Sequence, residues 1–175
     1  MGKVLYLVRH CQAAGQAPEA ELTATGEEQA QQLSRFFEEK KVAHIISSPF
    51  TRAIQSIEPT ANRYGLRMEI DSRLSERVLS NEDLPDWMER LEESFGDLDM
   101  KLMGGESGNE AMARGMEVIY NAPDRSILVT HGNLLSLLLK KIDGSYGYKE
   151  WKELSNPDVY EIDINKRQIK RIWNQ

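Results

Sequence analysis

Apolar residues recur along this chain in two rhythms. Lys3 to Val8 is a short β-rich run that ends in polar residues, the pattern of a strand buried on both faces. His44 to Ser48 ("HIISS") is a second such run, stopped by Pro49. Leu66 to Ile70 is a third, and Ser126 to Thr130 ("SILVT") a fourth. Between them the spacing turns helical. A loop from Ala13 to Ala24 leads to Thr25 and Glu28, a capping-box pair, and then to Ala30, Leu33, Phe36 and Phe37 on one helix face. Thr51 to Tyr64 places Ala53, Ile54, Ile57, Ala61 and Tyr64 at helical spacing, with Pro59 expected to kink or split the helix. Ser107 with Glu110 opens another helix through Met112, Met116, Ile119 and Tyr120. Leu134 to Ile142 is an apolar helix with Gly144 as its stop. Asp158–Ile164 and Gln168–Trp173 alternate in polarity around Asn165 and Lys166, which predicts a terminal hairpin.

Strands alternating with helices predict an α/β fold, a three-layer α/β/α sandwich with a mainly parallel central sheet. The whole chain, 1–175, reads as one domain. One stretch interrupts the alternation. Residues 77–103 carry eight acidic side chains against Arg77, Arg90 and Lys101, with Leu84, Trp87, Met88, Leu91 and Phe95 at partly amphipathic spacing. This stretch is expected to be a short, helical covering insertion over one edge.

Composition narrows the partners. Hydrophobic residues make up 40% and charged residues 29%, the balance of a soluble globular domain. The net charge of −6 argues against nucleic acid, and the densest basic stretch, "KRQIKR" (166–171), sits in a strand pattern as a solvated face. No apolar run approaches the roughly 20 residues of a membrane span. "MGKVLYLV" is too short for a signal-peptide core, and Tyr6 stands where a myristoylation signal wants Ser or Thr. One cysteine excludes an internal disulfide and fits a reducing, cytoplasmic setting. A monomer or a homodimer is expected.

The chemistry gathers at the strand ends, where open α/β sheets collect their ligands. Arg9 and His10 follow the first strand in "LVRHCQAAGQ", Arg52 follows the second, Glu76 the third and His131 the fourth. Guanidinium groups bind phosphate bidentately, imidazole can attack phosphorus, and one carboxyl can protonate a departing alcohol. The set reads as phosphoryl transfer through a phosphohistidine on His10, with Arg9, Arg52 and His131 on the equatorial oxygens. Cys11 fails as the nucleophile of a Cys-x5-Arg phosphatase, because the count from it ends at Ala17. It reads as a small residue beside the nucleophile; the minority reading is a redox-sensitive thiol acidified by the cationic pocket. Three histidines without a paired spacing make a poor metal site, so neither metal nor cofactor is expected. His44 has no partner motif and reads as structural.

The motifs resemble those of the histidine phosphatase superfamily, which includes the cofactor-dependent phosphoglycerate mutases. "LVRHCQAAGQ" is similar to its Arg-His-Gly signature, "ELTATGEEQA" to its Leu-Thr-x-x-Gly-x-x-Gln-Ala segment, and "ISSPFTRAIQS" to its Ser-Ser-Pro-x-x-Arg-Ala segment. "RLSE", "GGES" and "LVTHGN" follow in the family's order. The resemblance implies a phosphoglycerate mutase-like fold, His10 as the phosphorylated nucleophile, Glu76 as the proton donor, and Arg9, Arg52 and His131 around the phosphate. Gln16 and Gly132 are further candidate phosphate donors. Departures are visible: Cys11 replaces a glycine, Ala13 a common threonine and Gln16 a common asparagine. One branch takes its acid from an aspartate after the second histidine; here Gly132-Asn133 follows, leaving Glu76 with Glu82 and Glu106 as reserves. A phosphatase of small phosphomonoesters is expected, since the mutases carry a longer insertion where 77–103 lies. A mutase is the alternative, with Arg77, Arg90 and Lys101 as the only cations the cover offers a substrate carboxylate. A protein phosphohistidine phosphatase or a non-catalytic phospho-ligand module on the same fold are further readings.

Overall fold

The computed structural model describes residues 2–174. Six strands form one sheet: β1 (Val4–Arg9), β2 (His44–Ser47), β3 (Met68–Ile70), β4 (Ser126–Thr130), β5 (Asp158–Asp163) and β6 (Gln168–Arg171). Their spatial order is β3-β2-β4-β1-β5-β6. The first four run parallel; β5 and β6 are antiparallel and form the expected hairpin at one edge.

Strand alternation divides the core into two layers. Leu5 and Leu7 of β1 point to one face with Leu128, Tyr160 and Ile162, beneath α4 (Gly108–Asn121) and α5 (Gly132–Ile142). Tyr6 and Val8 point to the other with Ile45, Ile127 and Val129, beneath α1 (Ala24–Phe37) and α2 (Thr51–Tyr64). The architecture is the three-layer α/β/α sandwich. Helix α5 is apolar on nearly every side, and its Leu134, Leu135, Leu137, Leu138 and Leu139 are fully buried. Each contributes about 2 kcal/mol of apolar burial, and truncating one to alanine costs about 2–5 kcal/mol.

Local expectations differ from the structure in four places. Helix α1 is capped by Thr23, whose Oγ1 accepts from Gly26 N at 3.0 Å; Thr25 is already helical. Pro59 neither splits nor ends α2, which runs on to Gly65 in the left-handed conformation (φ 63°). Ala53 and Ile57 before the proline and Ala61 after it pack into the same core layer as α1, and that packing outweighs the lost backbone bond. The covering segment is mostly loop: only α3 (Trp87–Gly96) is helical, because the polar run before Pro85 favours turns. A short helix, α6 (Tyr148–Glu153), is too brief to show a period.

Candidate active site

Register brings the two histidines together. Arg9 of β1 pairs with Thr130 of β4, so His10 and His131 each stand one residue beyond a shared strand end. The His10 amide donates to the Thr130 carbonyl at 3.2 Å, and the two imidazole centroids lie 5.1 Å apart. His10 is 7% exposed and His131 fully buried.

The bonding of His10 fixes its tautomer. Nδ1 lies 2.7 Å from the Cys11 carbonyl, which only accepts, so Nδ1 carries the proton. Nε2 is therefore the free lone pair, and Arg52 Nε donates to it at 3.2 Å. Burial pulls the His10 pKa from the ordinary 6.5 down to about 3; the Cys11 bond opposes this, and the charges of Arg52 and Arg9 add to it. The ring is neutral across physiological pH. His131 is likewise held well below 6.5, first by burial and then by His10, Arg52 and Arg9. Its Nε2 is 2.8 Å from Ser48 Oγ.

Arg52 is 1% exposed and sits in the first turn of α2. Its Nη1 donates to the carbonyls of Gln16 (3.1 Å) and Ala17 (2.9 Å), which ties the loop after His10 to α2. The Phe50 ring lies 5.0 Å from its guanidinium carbon and 4.7 Å from the His131 ring. Gln16 reaches Arg52 through its backbone carbonyl, and its side chain is exposed at the rim.

Arg9 lies across Gly132. A Cβ there would stand 3.1–3.2 Å from the guanidinium, so glycine is what lets Arg9 pack against the start of α5. Arg9 Nη1 donates weakly to the carbonyls of Leu154 and Ser155, both at 3.4 Å. Among the described residues, Arg9 Nε, His131 Nδ1 and Asn133 Oδ1 are buried without a hydrogen-bond partner. Buried polar atoms are normally paired, so three such orphans at one strand end mark a site built for a polar ligand.

Glu76 caps α5. Its Oε2 accepts from Asn133 N (3.0 Å), and its Oε1 from Leu134 N (2.9 Å) and Arg77 N (2.8 Å). A carboxylate is at home on a helix N-terminus. Burial nevertheless raises its pKa against the pull of these three amides and of Arg9. Thr130 Oγ1 donates to the Leu74 carbonyl at 2.7 Å and holds this loop to β4. The reserves are otherwise engaged. Glu106 pairs with Arg114, whose Nη1 also grips the carbonyls of Arg73 (2.7 Å) and Ser75 (2.8 Å). Despite the upward push of burial, those Arg114 contacts hold the Glu106 carboxyl below its usual range. Glu82 is exposed in the cover.

Cys11 is not a reactive thiol. It is fully buried among Tyr6, Val8, Ala53 and Ile57, and burial pushes its pKa up to about 12. The pocket's cations do not acidify it, because the side chain points into the core. This corrects the redox reading. It also accounts for a cysteine beside His10: the position takes a small apolar side chain facing inward.

The cover's cations are also committed. Arg77 is buried, with Nη1 on Ser94 Oγ (2.9 Å) and Nε on the Glu106 carbonyl (3.2 Å). Arg90 pairs with Asp86 and Glu93, and Lys101 with Glu110. His44 is exposed at the start of β2 and takes no part in the site.

Sequence reasoning missed Ser48 and Phe50, and also Ser56 and Asn156, which bond the Cys11 amide and the His10 carbonyl. The Ser-Ser-Pro motif signalled Ser48; the others carry no pattern that separates them from ordinary polar or apolar positions.

A strand-end pair of histidines, the buried Arg52, the partly buried Arg9 and a helix-capping glutamate on this sandwich define a histidine phosphatase-type site. The profile of the histidine phosphatase superfamily (branch 1) matches residues 5–174, and the chain belongs to that family. Among its relatives is the probable phosphoglycerate mutase GpmB of Salmonella paratyphi A, 30% identical over 94% of this chain and 86% of the relative. The structure is similar to a mycobacterial glucosyl-3-phosphoglycerate phosphatase solved with inorganic phosphate (TM-score 0.75, 23% identity, 99% of this chain and 97% of that one). It is also similar to the alpha-ribazole phosphatase of Shigella flexneri (TM-score 0.73, 22% identity, 97% and 94%). At these identities the likeness is one of fold.

Proposed function

We propose that this chain is a phosphomonoester phosphatase acting on small phosphorylated metabolites through a phosphohistidine on His10. The observation that carries the reading is the tautomer of His10: its proton is on Nδ1, and its Nε2 lone pair faces the Arg52 guanidinium. The Nε2 lone pair attacks phosphorus in line as the ester P–O bond breaks. The leaving oxygen takes the proton of Glu76. Water then attacks the phosphohistidine, its proton passes to the Glu76 carboxylate, the P–N bond breaks, and inorganic phosphate leaves.

Arg52 has a gating part in this scheme. Its Nε–H covers the lone pair that attacks. A phosphoryl oxygen is a charged and therefore stronger acceptor, so substrate arrival draws Arg52 off the ring and frees the nucleophile. Arg9 Nε and His131 Nδ1, both without a partner among the described residues, meet the remaining oxygens. Gly132 serves by admitting Arg9.

The names of the curated relatives favour a mutase reading. The cover speaks against it, since Arg77, Arg90 and Lys101 are all bound within the protein. The single cysteine supports a reducing compartment, the cytoplasm, as the place of action.

The test is hydrolysis of an aryl phosphate by wild type and His10→Ala. The account expects activity in the first and a loss on the order of 10⁴-fold or more in the second. Equal activity in the two refutes it. Interconversion of 3- and 2-phosphoglycerate that requires a bisphosphoglycerate primer, at rates above hydrolysis, favours the mutase.

A further inference from the structure

Two consecutive peptide groups hold the His10 ring, and each is pinned at both ends. The first joins His10 to Cys11. Its N–H, on Cys11, donates to Ser56 Oγ at 2.7 Å, and Ser56 is itself anchored on the Arg52 carbonyl at 2.6 Å. Its carbonyl, on His10, accepts from Asn156 Nδ2 at 3.0 Å. The second peptide joins Cys11 to Gln12. Its N–H, on Gln12, donates to Gln29 Oε1 at 2.8 Å, and its carbonyl, on Cys11, accepts from His10 Nδ1 at 2.7 Å. The tautomer that exposes Nε2 therefore depends on where the Cys11 carbonyl points. That direction depends on the plane of the peptide before it.

Among the described residues, Asn156 alone holds that first peptide from the β5 side. It stands in a loop that is built to stay still. Ser155 N and Val159 N donate to the two oxygens of Asp158, each at 3.0 Å. Asp158 is fully buried and is gripped by Arg171 of β6, with Nε at 3.0 Å and Nη2 at 2.7 Å. The carbonyls of Leu154 and Ser155 in the same loop receive Arg9. One braced loop thus contacts both members of the Arg9-His10 pair.

We propose that Asn156 is a positioning residue for the nucleophile, sharing with Ser56 the task of fixing the His10–Cys11 peptide so that Nδ1 keeps its proton and Nε2 faces the phosphate. Asparagine suits the task because its amide donates without charge. An ionised aspartate of the same shape would set an acceptor against the His10 carbonyl and a negative charge beside an anion site. The proposal rests on His10 being the nucleophile; its structural half does not.

The experiment uses the full chain with Asn156→Ala and Asn156→Asp. In Asn156→Ala, kcat for an aryl phosphate is expected to fall about 10- to 100-fold with KM changed by less than about threefold, the signature of lost alignment rather than lost binding. Nitrogen-15 NMR of the His10 ring is expected to show the Nδ1–H tautomer in wild type and a mixture in the variant. In Asn156→Asp, activity relative to wild type is expected to recover as pH falls through the carboxyl range near 4, where a protonated carboxyl can donate. An Ala variant with wild-type kcat and wild-type ring shifts overturns the proposal. So does an Asp variant whose ratio to wild type is flat with pH. Failure of the phosphatase reading shows separately, as indifference to His10→Ala. The ring shifts then still test the positioning.

Discussion

The ends of β1 and β4 and the cover over residues 77–103 spend their charges in opposite ways. At the strand ends, buried donor atoms are left over: among the described residues Arg9 Nε and His131 Nδ1 have no partner, and Arg52 Nε rests on a lone pair of His10. In the cover, Arg90 and Lys101 are exposed and closed off by carboxylates, while Arg77 is buried on Ser94 and the Glu106 carbonyl. Unspent donors in a buried setting are costly to stability and are kept where a ligand repays them. Spent donors on a surface add little. The difference sets the strand ends, where the proposed chemistry lies, apart from the cover.

Substitutions can break or sharpen that contrast. After His10 itself, the largest effect is expected at Glu76. Glu76→Gln keeps one acceptor oxygen, enough for Leu134 N and Arg77 N, turns an NH2 towards Asn133 N, and removes the transferable proton. Alkyl phosphates are expected to slow about 10²- to 10⁴-fold, and activated aryl phosphates far less, because their leaving groups need little protonation. Equal losses on both substrate types, in steady-state kinetics, move the acid elsewhere.

Next comes pH. For kcat/KM, His10 must be unprotonated, so activity falls on the acid side through about 3 and not through the ordinary 6.5. Glu76 must be protonated, so activity falls as pH rises through a pKa above the ordinary carboxyl value. Stability follows the same shift. The unfolded histidine takes its proton near 6.5 while folded His10 does not, so stability falls as pH drops from 6.5 towards about 3. Between pH 6.5 and about 5 the loss is about 2 kcal/mol for His10. Urea midpoints of His10→Asn are expected to fall less over that range than those of wild type. Parallel curves contradict a buried neutral ring.

A smaller effect is expected at Arg171. Its loss leaves the Asp158 carboxylate buried with only its backbone donors. Arg171→Ala is expected to cost about 1–3 kcal/mol in urea unfolding, reduced because Arg171 is 40% exposed. The smallest belongs to the cover. Arg90→Ala and Lys101→Ala are expected to change stability by less than about 0.5 kcal/mol and to leave KM for a phosphorylated carboxylic acid unchanged. A marked rise in KM would show that the cover binds substrate charge after all.

The two regions also differed in what the sequence disclosed. The strand-end placing of Arg9, His10, Arg52 and His131 was legible because β1, β2 and β4 are plain apolar runs, while Glu76, after the mixed-polarity β3, was tied to them by motif order. The direction of Cys11 was not legible. It depends on which face of the β1 end turns into the core, and one residue of difference moves a side chain from pocket to core. The bond from Arg52 to the Gln16 carbonyl was not legible either, because residue type says nothing of a backbone acceptor. Helix α1 started two residues early because both Thr23 and Thr25 can cap, and only the path of the loop past Gln12 decides between them. That loop also accounts for Gly26, whose Cβ would stand 2.0 Å from the Gln12 carbonyl. The cover read as helical because its apolar residues are spaced that way, yet its long runs of acids and turn formers are held by contacts to residues 103–106 that no local pattern reveals.

The central claim is that His10 Nε2 carries the phosphoryl group. Rapid quenching of wild type with an aryl phosphate, followed by peptide mass spectrometry under alkaline conditions that preserve a P–N bond, tests it most directly. The account predicts an acid-labile phosphate on the peptide containing His10, absent in His10→Ala. Turnover with phosphate on another residue, or undiminished turnover in His10→Ala, would contradict it.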